Sequence, residues 1–126
     1  MRDDFGNDKE EFMELRPEPG KKTFSHHIWN HGVIPACKKL IKLRKVKRLR
    51  AGFDDTQGKS YHITVWTDKM YGWGGTFAVR PVSGGISWNG RDLHDNTFFE
   101  GESWDDLIET VQEHIRVDPR VLEHTK

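Results

Sequence analysis

The chain has 126 residues, with 20 Lys and Arg set against 20 Asp and Glu, 34% hydrophobic and 32% charged residues, and a formal net charge of zero. That length suits one domain able to bury a real core, with modest stability to spare. No apolar run approaches the roughly 18–20 residues of a membrane span, the acidic start is unlike a signal peptide, and the single Cys37 excludes an internal disulfide and fits a reducing, cytoplasmic setting.

The zero hides segregation. Net charge is −4 over residues 1–20, +10 over 21–50, zero over 51–90 and −6 over 91–126. Residues 1–22 are acidic, end in Pro17, Pro19 and Gly20, and read as a flexible arm. Phe24 to His31 then places His26, His27 and His31 beside Trp29 and Asn30. A helix is expected from Gly32-Val33-Ile34-Pro35 to about Arg44 or Lys45, with Pro35 in its first turn and an apolar stripe of Val33, Ile34, Cys37, Leu40 and Ile41. Val46, Leu49 and Phe53 mark a strand running into a turn at residues 54–58.

The clearest strand is Tyr61 to Thr67, β-branched and aromatic, with Tyr61, Ile63 and Val65 on one face and His62, Thr64 and Trp66 on the other. A Gly-rich loop around Trp73 leads to a short strand from Thr76 to Arg80 that Pro81 should end. Ser83-Gly84-Gly85 turns the chain into a strand at Ile86-Ser87-Trp88, Asn89-Gly90 is a tight-turn signal, and residues 91–102 read as irregular. Ser103 is a fitting N-cap for a last helix whose stripe is Trp104, Leu107, Ile108, Val111 and Ile115. Residues 118–126 read as a loose tail. The expectation is one α+β domain over residues 23–117: a helix, three to four antiparallel strands and a helix, with both helices on one sheet face.

Between Lys38 and Arg50, eight of thirteen residues are Lys or Arg, and no acidic residue occurs from Lys21 to Arg50. A helix kept for structure alone would carry carboxylate partners at i,i+4. Cations at this density favour a phosphate-bearing partner through counterion release. The candidate contacts are Lys38, Lys39, Lys42, Arg44, Lys45, Lys47, Arg48 and Arg50, with Trp73 as a stacking residue in its loop. Trp66, Tyr71 and Trp88 are further aromatics for stacking or for the core. His26, His27 and His31 are candidate metal ligands, His27 and His31 sharing a face if they lie on a helix. Asp92, His94 and Asp95 form a polar loop that could orient an acid–base pair, but no nucleophile elbow, HExxH or phosphate-loop motif accompanies it.

Gly32-Val33-Ile34-Pro35, Leu40 and the run Val46 to Gly52 resemble a family of small uncharacterised prokaryotic proteins described as predicted metal-binding, over roughly residues 26–80. The resemblance implies a divalent metal held by the His-rich lead-in. The order of elements is also similar to the double-stranded-RNA-binding domain, but a basic motif at the last helix start is replaced by Ser103-Trp104-Asp105-Asp106. The leading expectation is a non-catalytic nucleic-acid-binding module for DNA or RNA. The alternatives are a charge-segregated inhibitor or adaptor of phage or regulatory type that docks on a host or regulatory protein, and a His-cluster metal-binding protein.

Overall fold

Successive side chains of a strand point to opposite faces of its sheet, and this alternation runs through more of the chain than its short apolar runs suggest. The computed structural model describes residues 13–16, 24–43, 45–54, 60–67, 74–93 and 96–117. Six strands lie in chain order in one sheet: β1 (Met13–Arg16), β2 (Arg48–Asp54), β3 (Ser60–Trp66), β4 (Gly74–Val82), β5 (Gly85–Asp92) and β6 (Phe98–Gly101). β1 runs parallel to β2, the connection between them carrying the first helix, and all other neighbours are antiparallel. Helix α1 runs through His26–Ile28, a π turn at Trp29–Val33, and Ile34–Ile41; helix α2 is Trp104–Val117.

The expected order of a helix, a three- to four-stranded antiparallel sheet and a helix is therefore overturned by a six-stranded mixed sheet. The two unexpected strands are the edges. Met13 and Leu15 sit opposite Leu49 and Ala51 and pack against the core, so four residues of the stretch read as a flexible arm are paired strand. So short a segment gains its structure from a distant partner, which no local pattern reveals. Residues 98–101, read as irregular, pair with β5, and Asn89-Gly90 lies within β5 opposite Ala78 and Phe77 instead of in a turn. Gly90 is needed there because the Phe77 ring occupies the space of its absent side chain, 2.4 Å from where a Cβ would stand. Pro81 does not end β4, since the β3 pairing has run out at Val79 and its missing N–H costs no ladder bond.

Helix α1 also starts earlier than expected. The Ser25 hydroxyl accepts from Ile28 N at 3.1 Å, and the buried Tyr61 hydroxyl accepts from Ser25 N at 2.8 Å, which ties the helix start to β3. Pro35 then falls inside the helix. A proline there lacks its N–H and crowds the preceding turn; directly before it the ladder widens to a π turn, with Ile34 N donating to Trp29 O.

One face of the sheet carries the core. Leu49, Ala51, Tyr61, Ile63, Val65, Phe77, Val79 and Trp88 pack with Val33, Cys37, Leu40 and Ile41 of α1 and Leu107, Val111 and Ile115 of α2. Each fully buried Leu, Ile or Val side chain contributes about 1.5–3 kcal/mol. The helices meet where the Trp104 indole lies 2.7 Å from the position of a Cβ on Gly32. Ser103 caps α2, its hydroxyl accepting from Asp106 N at 3.1 Å, and its carbonyl also accepts from Trp88 Nε1 at 2.8 Å. Both helices thus cover one face and leave the other open.

Candidate nucleic-acid interface

The open face follows from register. One row across the sheet reads Glu14, Arg50, Thr64, Thr76, Arg91 and Phe98, and the next reads Arg16, Gly52, His62, Ala78, Asn89 and Glu100. Arg48 lies opposite Trp66 in the row before them. Arg16, Arg48, Arg50 and Arg91 are exposed, whereas Trp66, His62, Thr64, Thr76, Ala78 and Asn89 are half-buried. Cations and aromatic rings thus rim a floor of small polar side chains.

Trp66 is the centre of one rim. Arg48 Cζ stands 4.8 Å from its ring centroid and Arg50 Cζ 5.8 Å away, a cation–π arrangement that holds both guanidinium groups over the sheet. Glu14 pairs with Arg16 and, at 3.4 Å, with Arg50. A hydrogen bond from Arg16 and the charges of Arg16 and Arg50 hold the exposed Glu14 carboxyl below its ordinary value. The floor is tied together by Thr64 Oγ1 and Thr76 Oγ1 at 3.2 Å and by Ser60 Oγ and His62 Nε2 at 2.9 Å. Two depressions meet at His62: about 180 Å³ bounded by Arg16, Arg50, Gly52 and Thr64, and about 360 Å³ bounded by Thr76, Ala78, Asn89, Arg91 and Phe98.

The basic stretch does not form one surface. Lys38, Lys39 and Lys42 are exposed on or just after α1, which packs on the covered face, while Arg48 and Arg50 belong to the open face beyond the sheet. Lys45 and Lys47 lie in the connection, where Lys47 N donates to Trp66 O at 2.8 Å. Arg44, Trp73, Tyr71, His94 and Asp95 lie outside the described residues, as do residues 1–12, 17–22 and 118–126. Among the described residues, no ion pair joins Lys38, Lys39, Lys42, Lys45, Lys47 or Arg48 to Asp105, Asp106 or Glu109 of α2. Trp88 is core, and Asp92 is buried with its backbone closing the β5–β6 turn.

The histidine cluster divides. His27 and His31 face each other with ring centroids 4.7 Å apart, while His26 packs edge-on against Phe24 at 4.9 Å. Among the described residues no group of three or more His, Cys, Asp or Glu side chains is placed to hold a metal ion. Cys37 is buried, and burial pushes its thiol up to about 12. No helix among the described residues is long and apolar enough to cross a membrane.

Arg16, His62, Asn89, Arg91 and Phe98 were not singled out as nucleic-acid contacts from the sequence. The adjacent pair Phe98-Phe99 held a usable signal, since within a strand one of two neighbouring rings must face away from the core. In comparisons with family models, curated proteins and solved structures nothing matches the chain, so function rests on this geometry.

Proposed function

We propose that the protein is a non-catalytic nucleic-acid-binding module whose partner lies across the open sheet face. The observation that carries this reading is the placing of Arg48 and Arg50 over Trp66 on that face. Guanidinium groups contact phosphates as planar donors, and an aromatic face beside them stacks an unpaired base. Arg16 and Arg91 continue the positive charge along both sides of the floor. The α1 lysines, on the other side of the molecule, add long-range attraction without touching the same stretch of partner. The test compares Arg48→Glu/Arg50→Glu with Lys38→Glu/Lys39→Glu by fluorescence anisotropy. The first double variant should lose binding of labelled oligonucleotide, and the second should weaken it a few-fold. Loss in the second alone would move the interface to α1 and refute this placement.

A second reading is an adaptor or inhibitor that docks on a basic partner protein. It is favoured by the acidic depression of about 650 Å³ bounded by Glu100, Asp106, Glu109 and Glu113. Pull-down with and without nuclease separates the two: a partner retained after nuclease digestion favours docking on protein.

A further inference from the structure

The larger depression on the open face differs from the Trp66 rim in shape and in chemistry. Its centre is Ala78, whose methyl group sits between His62 on β3 and Asn89 on β5, all three in one row of the sheet. The next row supplies Thr76, then Arg91, then Phe98. A small residue between longer polar ones makes a slot, and about 360 Å³ lies within the range of pockets that accept small ligands. Phe98 stands at its edge with 63% of its surface exposed, the most exposed of the large apolar side chains among the described residues. A ring left in water beside a slot floored by amide, hydroxyl and imidazole groups suits a flat heterocycle with a polar edge.

We propose that this slot holds one unstacked nucleobase of a single strand, its face on Phe98, its edge over Asn89, His62 and Thr76, and its phosphate at Arg91. The inference rests on the nucleic-acid reading above and adds the class of partner to it. Arg50 and Arg91 lie in one row three strand spacings apart, about 14 Å. A strand entering over Trp66 and leaving over Phe98 would therefore cross the β-strands with a cation at each end. Duplex nucleic acid keeps its bases stacked inside and offers the slot nothing. Asn89 can both donate and accept, so it reads a base edge and distinguishes one base from another.

The test uses the full chain and measures anisotropy of single-stranded homopolymers and a matched duplex between 50 and 200 mM salt. Ala78→Leu fills the slot and Phe98→Ala removes its ring; both positions lie on the open face, so thermal melting should match the parent. Each variant is expected to lose about tenfold in single-strand affinity, as deleting one stacking contact does. Each should also flatten the preference among homopolymers and leave the salt dependence unchanged. Parent-like affinity and base preference in both variants, with binding still lost in Arg48→Glu/Arg50→Glu, would overturn the slot alone. No binding by the parent protein at 50 mM salt would overturn the slot and the nucleic-acid reading together. A free nucleoside monophosphate that binds as tightly as the oligonucleotide would overturn the assignment to a strand.

Discussion

Under the proposed function, charge and stacking would contribute to binding in ways that salt separates, and the Trp66 rim allows that separation. Each phosphate neutralised on a single strand contributes a slope of about 0.7 in log K against log salt. Arg48 and Arg50 both stand over Trp66, so Arg48→Ala/Arg50→Ala should lower the slope by about 1.4, one increment of 0.7 for each lost contact. Between 50 and 200 mM salt, a fourfold range, the double variant should then lose roughly sevenfold less affinity than the parent. Trp66→Ala should behave differently. It removes a stacking face worth about 1–3 kcal/mol and leaves the slope alone. The free protein should lose about 0.5–1 kcal/mol from the cation–π contacts and more from the apolar surface of a half-buried ring. The assay is a salt titration of anisotropy for parent, Trp66→Ala and the double variant, with urea unfolding as the control. Slopes that are equal in all three proteins would refute the argument, since they would mean that neither guanidinium reaches a phosphate.

Glu14 pairs with Arg16 and Arg50 and, under the proposed function, would compete with a phosphate for them, so Glu14→Gln should tighten oligonucleotide binding by up to about fivefold, the scale of a surface ion pair. Its carboxyl is held below the ordinary value; the pairing therefore contributes at neutral pH and is lost as pH falls through that lowered value, which a pH series comparing parent and Glu14→Gln should detect as a shrinking difference. Gly101→Ala would set a Cβ 2.5 Å from the buried Trp88 ring. Overpacking of about 1–3 kcal/mol, with about 1 kcal/mol more if the Trp88–Ser103 bond is lost, should lower the urea midpoint markedly. Cys37 should resist thiol reagents in the folded protein at pH 8 and react on unfolding. Because burial raises its value from 9.0 to about 12, folded chains keep a proton that unfolded ones release, and stability should fall by up to about 1.4 kcal/mol per pH unit between those values.

Much of the covered face was legible in the residues. The stripe Leu107, Val111 and Ile115 and the alternation Tyr61, Ile63 and Val65 are local patterns, and the core uses them as they stand. The edges were not legible. Met13–Arg16 and Phe98–Gly101 are four residues each, too short for periodicity to speak, and their strand state comes from partners elsewhere in the chain. Asn89-Gly90 misled because a glycine that clears the way for Phe77 looks the same in sequence as one that turns the chain.

By itself the sequence determined the inventory: a cation-rich third, enough apolar pattern for two helices against a sheet, and one strand with Trp66 on its polar side. Only the tertiary structure decided which of those cations stand together. The chain passes from helix to strand within the basic stretch, and the two elements point their side chains by different periods and lie on different layers. Lys38, Lys39 and Lys42 consequently face one way while Arg48 and Arg50 face the other, beside Arg16 and Arg91 from strands distant in sequence. Charge density belongs to the linear chain, but a surface is made by pairing register, and register is set by contacts between segments that the chain order keeps apart.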